Sequence, residues 1–576
     1  MEKQDTKVRI IMFGGVRENG KNMYAVEVND DIYILDCGLQ YPENELLGID
    51  VVIPDWSYLR EHKDQVKAVF LTHGHADAIG ALPYFVSEFN VPVYGSSLTI
   101  ALARLAVNNY EKSKKFKKFH TVTERSRLKF NDVNVSFFKT THNIPESLGI
   151  VLKTNLGQVV YTGDFKFDQT ASKYYQTDLA RLGEIGKRGV LALLSDSAGA
   201  EQHGYAANEN DVYEYIYDQF KRHNGRIIVA NVAANILRIQ EVLNAAIATH
   251  RKVVLMGKDL ENIVQTAIKL KKLNLQDPEV LVSYKKLKNL DPEETVILET
   301  GKMGEPIKAL QRMATGEDKF IQIQPDDLVL IATTTSTAME TTAAKTRDLI
   351  FRAGGHVEVI SDDLQISGHG SPSDLQLMIN LMKPKYLIPV QGEYRVLNLH
   401  AHLAEQTGMP SSNIFITEKG DSLVYDGTEP MHLSDSFEVS NVMIDGIGVG
   451  DIGNIVLRDR KILSEDGVFV AVITIDRKQK KIISEPKITS RGFVYVKSNR
   501  DLIKQSSEIV KDVVRANLDA TDFDWGHLKQ EIREKLSHYL FEQTRRRPVV
   551  LPIVMEVNQN KHRLHNKTTV KAAKNE

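Results

Sequence analysis

Apolar residues in this chain fall in short runs cut by glycine, asparagine and aspartate, and the spacing of those runs changes along its length. The first strand ends at Met12-Phe13-Gly14-Gly15. Tyr24-Ala25-Val26-Glu27-Val28 and Ile32-Tyr33-Ile34-Leu35-Asp36 flank Asn29-Asp30 and predict a hairpin. The unbroken run Ala68-Val69-Phe70-Leu71 predicts a buried strand, and a helix is expected to begin in Gly80–Phe85. Val91–Gly95 predicts a strand and Leu98–Val107 a helix. A second hairpin centres on Asn131-Asp132, and Ile150–Leu152 pairs with Gln158–Asp164. From residue 208 the rhythm becomes an alternation. Helices are predicted at 209–222, 235–249, 259–273, 305–314 and 337–353, and strands at 226–230, 252–257, 295–299, 328–333 and 356–360. That alternation is doubly wound α/β. Further on come a strand at Tyr386–Val390, a hairpin over Ile414–Tyr425 and a linker after Gly427. A small α/β unit follows, with strands at 468–475, 481–485 and 492–496, helices at 499–517 and 525–543, and a last strand at Pro548–Met555. The basic tail beyond it is expected to be disordered.

Composition adds bounds. A chain of 576 residues is too long for one core, and roughly three or four domains are expected. No apolar run approaches the ~20 residues that span a membrane, and the polar N-terminus is not a signal peptide, so a cytoplasmic protein with no membrane partner is expected. Cys37 is the single cysteine, which excludes an internal disulfide and a thiolate cage for zinc. Net charge is −2, so any nucleic acid must be held by a local positive channel.

The candidate chemistry lies just after the strand runs. His73 and His75, one residue apart in a loop, can aim two imidazoles at one point, and Asp77 can add an oxygen. His142 and Asp164 also follow strand runs, as does Asp36, so a metal site is predicted at a sheet edge. His369, between glycines, suits catalysis or phosphate contact. Asp196 is either a site carboxylate or a turn cap. The lysine-rich stretch 111–119, with Phe116 and Phe119 interleaved, is either a solvated face or a phosphate contact.

These motifs carry a resemblance. Thr72-His73-Gly74-His75-Ala76-Asp77, His142, Thr162-Gly163-Asp164 and Asp36 are similar, in order, to the metallo-β-lactamase fold. The inserted α/β block followed by Ser367-Gly368-His369-Gly370 and Gly392-Glu393-Tyr394-Arg395 resembles the branch with a β-CASP insert. Asn19-Gly20-Lys21-Asn22-Met23, Ile144-Pro145-Glu146-Ser147 and Arg491-Gly492-Phe493-Val494-Tyr495 narrow the resemblance to the bacterial ribonuclease J family, over about residues 7–558.

The resemblance implies an αββα metallo-β-lactamase sandwich (1–207 and 366–428), a β-CASP domain (208–365), a linker (429–451), a C-terminal dimerisation-type domain (452–558) and a tail (559–576). It implies a 5′-to-3′ exoribonuclease with endonuclease capability, acting in RNA decay and maturation. It implies metal ligands His73, His75, His142 and Asp164. Asp77, His369 and Asp196 are implied in catalysis, and Gln365, Ile366, Ser367, Gly368, His369, Ala234 and Asn235 in holding RNA. The chain also departs from the pattern. Ala78 and Gln391 stand where the family has histidines, and Leu237 where another is expected. Residues 332–336 lack the serine-proline motif. A single divalent ion, zinc or manganese, with the second position empty, is therefore expected. The departures are similar to those of the family's second paralogue. They imply weak activity in complex with an active ribonuclease J paralogue, with a homodimer through the C-terminal domain also open. The competing expectations are an inactive RNA-binding scaffold and, less favoured, a small-molecule hydrolase.

Overall fold

The structure is a computed structural model. It describes residues 6–557 except 43–45, 203–207, 233, 301–305, 334–339, 361–363, 365–366, 447, 451–452 and 521. The chain forms two compact units, residues 1–43 with 50–444, and residues 44–49 with 445–576.

The larger unit is built on two sheets laid face to face. One has eight strands and includes Val8–Gly14, Met23–Val28, Asp31–Leu35 and Val66–Phe70; the other has six and includes Asn134–Lys139, Leu148–Thr154, Gly157–Tyr161, Val190–Asp196 and Pro384–Val390. Alternation along the strands makes the layers. Val8, Ile10 and Met12 point between the sheets with Phe137, Ile150, Tyr161, Leu194 and Ile388. Ile11 and Phe13 point to the opposite face. The outer face of the six-stranded sheet is covered by the helices Leu179–Lys187, Pro372–Met382 and Tyr394–Gln406. This is the expected αββα sandwich. A third sheet of six strands, with Ile227–Ala230 near its centre, is parallel in every pairing and alternates with helices, as its hydrophobic rhythm predicts.

Several elements differ from expectation. The hairpin over Ile414–Tyr425 does not form. Ile414 bridges Leu387 in one sheet, whereas Ser422–Tyr425 pairs with Val8–Ile11 in the other, so the segment crosses the sandwich. The strands expected at 481–485 and 492–496 are one strand, Lys481–Arg491. Pro486 suggests a break, yet this strand is at a sheet edge with irregular register, where a missing N–H is tolerated. The helix Pro372–Met382 was not anticipated, although Ser371 and Asp374 form a capping box and Pro372 opens its first turn. The segment expected to be a linker contains a strand whose residues Asn441 to Ile444 pair with Pro54 to Val51. In the lysine-rich stretch Phe116 is buried and Phe119 packs edge-on against it, with Arg104 over its ring. These aromatics are committed to the fold, which favours the solvated-face reading.

The smaller unit holds the sheet Lys481–Arg491, Val468–Asp476 and Val549–Glu556, with the helices Arg500–Asp519 and Trp525–Thr544 against it. No helix among the described residues is long and apolar enough to cross a membrane.

Candidate metal centre

The site assembles just beyond strand ends. His73 and His75 occupy the loop between Val66–Phe70 and the short helix Ala76–Ile79. His142 follows Asn134–Lys139, Asp164 follows Gly157–Tyr161, Asp196 ends its strand, and Gln391 follows Pro384–Val390. The rings of His73, His75 and His142 lie 4.8 to 4.9 Å apart, steeply inclined to one another. Nitrogens of the three converge closely enough to share an ion, as do donors of His73, Asp77 and Asp164, and of Asp164, Asp196 and His369.

Hydrogen bonds fix the ring orientations. Thr72 Oγ1 donates to Asp36 Oδ2 at 2.7 Å and lies 2.9 Å from His73 Nδ1. The hydroxyl has one proton, so His73 Nδ1–H must donate to it, which turns Nε2 into the cluster. Asp36 is held further by Thr72 N at 2.8 Å and the Tyr161 hydroxyl at 2.9 Å, and burial pushes its carboxyl up to about 7. Asp36 is therefore a support behind His73 rather than a member of the cluster. His142 Nδ1 donates to the Gly368 carbonyl at 2.8 Å, leaving Nε2 inward. A Cβ at Gly368 would stand 2.6 Å from His142 Cε1, so only glycine allows this approach. His142 Nε2 and His75 Nδ1 face each other at 3.0 Å, a distance that needs a proton or a cation between them.

The carboxylates complete the cluster. His73 Nε2 lies 3.7 Å from Asp77 Oδ1 and 3.6 Å from Asp164 Oδ2. Asn22 donates to Asp77 Oδ2 at 2.9 Å, and the Gln391 amide donates to Asp164 Oδ1. His369 Nδ1 meets Asp196 Oδ2 at 2.8 Å and Asp164 Oδ2 at 3.9 Å. Asp196 also accepts from Ala198 N at 2.9 Å, so the turn-cap reading and the site reading are both realised.

Protonation follows from burial and neighbours. Burial lowers the His73 imidazole, but Asp164 and Asp77 outweigh it and lift the group to about 9. Burial, reinforced by His73, holds His75 down to about 4. Burial resists a charge on His369 as well, yet Asp196 raises it to about 10. His73 Nε2 and His75 Nε2 are buried without a partner. Orphaned imidazole nitrogens beside buried carboxylates fit a divalent cation, which would replace the proton on His73.

The degenerate positions look different from each other. Ala78 offers no donor, and its methyl is fully buried in the core. Gln391 faces the cluster, with its backbone in the left-handed region and its N–H donated to Gly15 O at 2.6 Å. Of the residues expected to hold RNA, Gln365 and Ile366 lie outside the described residues. Ser367 accepts from the His369 backbone and from Gln202. The Ala234 backbone adjoins His75, and Asn235 caps the helix Ile236–Ala248. Leu237 donates its N–H to Asn143 O at 3.2 Å, linking the insert to the His142 loop. A second link was not anticipated. Lys166 pairs with Glu209, which neighbours Arg238 and Glu241 in a largely buried network. Its members are scattered in sequence, and no spacing signals them.

Comparison with known proteins places this geometry in a family. Residues 16–180 match the metallo-beta-lactamase superfamily, residues 224–346 the ribonuclease J beta-CASP domain, residues 358–416 a Zn-dependent metallo-hydrolase RNA specificity domain, and residues 455–557 the ribonuclease J C-terminal domain. The chain is 52% identical over 552 residues to ribonuclease J 2 of Streptococcus pyogenes, covering 96% of this chain and all of that one. It is 44% identical over 557 residues to ribonuclease J 2 of Staphylococcus aureus, again over 97% of this chain and all of the relative. A crystal structure of a protein of unknown function from Enterococcus faecalis superposes with a TM-score of 0.53 at 15% identity, covering 73% of this chain and all of that one, which bears on the fold alone. The chain belongs to the ribonuclease J family.

Proposed function

We propose that this protein is a metal-dependent RNA phosphodiester hydrolase of low activity that works beside an active paralogue in RNA decay and maturation. The observation that carries this reading is the convergence of His73, His75 and His142 on Asp164, with two imidazole nitrogens left unpartnered in a buried site. In this reading His73, His75, His142 and Asp164 hold one divalent ion, zinc or manganese. When bound, that ion supplies Lewis acidity at the phosphate and lowers the pKa of water. Asp77, oriented by Asn22, accepts a hydrogen bond from the attacking water. His369, charged through Asp196, faces the phosphate and gives a proton to the leaving oxygen. Ser367 and Gly368, with Ala234 and Asn235 across from them, border the path of the RNA strand.

Low activity follows from Ala78, which supplies no ligand, and from Gln391, which supplies at most a neutral oxygen. The partnership with an active paralogue rests on the resemblance of these departures to the family's second copy. The cytoplasm is the compartment this reading requires. The test is cleavage of 5′-monophosphorylated RNA by the purified chain together with metal analysis. The His73→Ala/His75→Ala variant is expected to lose both metal and cleavage. Cleavage equal to that of the variant would leave only the second reading, an RNA-binding scaffold. That reading is favoured by the complete burial of Ala78 in the core.

A further inference from the structure

Two buried amide oxygens stand unpartnered beside the paired carboxylates, Asn22 Oδ1 and Gln391 Oε1. Asn22 is 1% exposed and Gln391 4% exposed. Each amide turns its NH2 to a carboxylate, Asn22 to Asp77 and Gln391 to Asp164. Both carboxylates face His73 Nε2. Both amide residues also border Gly15. Gln391 N donates to its carbonyl, and a Cβ at Gly15 would stand 2.6 Å from Asn22 Oδ1. The four side chains therefore close on one space. A buried carbonyl without a partner costs about 1–3 kcal/mol, and this space holds two.

An amide's oxygen and nitrogen ends have nearly the same shape and exchange by a half-turn. After such a turn the oxygens face the carboxylates, an arrangement that only a cation between them stabilises. The amide atom of Asn22 nearest Asp77 lies 2.9 Å from Oδ2. Adjacent ligands of an octahedral ion with bonds of about 2.1 Å stand about 3 Å apart. The displaced NH2 of Asn22 would come to lie near the Tyr24 oxygen, which also borders Gly15 and whose proton is already given to Gly15 O at 3.1 Å, so its lone pairs are free.

We propose that Asn22, Asp77, Asp164 and Gln391 form a second cation site with oxygen ligands only, which takes a hard divalent ion, Mg2+ or Mn2+. Replacing imidazoles by oxygens changes which metal the position prefers, because oxygen donors suit magnesium and manganese and nitrogen donors suit zinc. The loss of both family histidines predicts an empty position; the orphaned oxygens point to a converted one. The inference rests on the proposed function in one respect, that Asp164 is shared with the ion held by the three histidines.

The test uses the full-length protein loaded with an equivalent of zinc, then titrated with MnCl2 and followed by the electron paramagnetic resonance signal of free Mn2+. A further equivalent of Mn2+ is expected to bind, and zinc to stay in place. Gln391→Leu should weaken Mn2+ binding at least tenfold, and Gln391→Glu, which adds charge without changing shape, should tighten it by about tenfold. Zinc content should be unchanged in both. Absence of Mn2+ binding at millimolar concentration, or binding unaltered in both Gln391 variants, overturns the inference and leaves the proposed function standing. Failure to retain zinc in the unsubstituted protein overturns the proposed function instead.

Discussion

At the scale of single residues, the cluster depends on side chains that never enter it. His73 presents Nε2 because Thr72 takes its other proton, and Thr72 can do so because Asp36 takes the hydroxyl proton. Thr72→Val keeps the shape and removes the relay. It should weaken metal affinity roughly 10- to 100-fold, as removal of a ligand's hydrogen-bond partner does, and isothermal titration with zinc would measure it. The two degenerate positions are not equivalent. Gln391 already faces the cluster, so Gln391→His exchanges similar volumes. Ala78→His must force a ring into packed core, at a cost of about 1–3 kcal/mol. Thermal melting is therefore expected to drop for Ala78→His and to hold for Gln391→His, with gain of activity needing both. His73, His75, Asp77, His142 and Asp164 were legible because a strand end followed by His or Asp is a local pattern. Thr72, Tyr161 and the amide of Asn22 were not, because their roles are hydrogen bonds across elements that no spacing encodes.

At the scale of elements, two buried polar groups set the response to acid and to substitution. On the helix Tyr394–Gln406, His400 is buried, with Nδ1 2.9 Å from Ser197 Oγ and Nε2 unpartnered. Burial pushes it down to about 3. The unfolded chain binds that proton near the ordinary value of about 6.5, so the unfolded state binds more protons between the two values. The contribution is fully present above about 6.5 and falls with pH toward 3, by about 1.4 kcal/mol per unit. Urea midpoints at pH 7 and pH 5 should therefore differ more for the natural protein than for His400→Gln; equal differences would contradict this. Across the sandwich and its insert, Lys166 neutralises Glu209 beside Glu241, and burial raises Glu241 to about 8. Lys166→Met leaves these carboxylates without their cation and should cost about 3–5 kcal/mol in denaturation. The helices of the insert were legible from their period. The helix Tyr394–Gln406 was not, because its alternation of Val396, Leu397, His400 and Ala401 reads as polar until His400 is known to be buried.

At the scale of the whole molecule, the order of elements carried the architecture. Parallel alternation in residues 209–359 predicted the inserted sheet, and strand-end ligands predicted where the sandwich opens. The segment 414–425 failed because a hairpin assumes neighbouring partners, and this one joins opposite sheets. The central claim is that a buried imidazole–carboxylate centre holds a metal that hydrolyses RNA, weakly. It is tested most directly by measuring bound zinc and manganese in the purified full-length protein together with nucleotide release from 5′-monophosphorylated RNA. The account predicts a tightly held ion and slow release, with both lost in His73→Ala/His75→Ala. Release that is unchanged in that variant, or a protein that binds no metal, would contradict it.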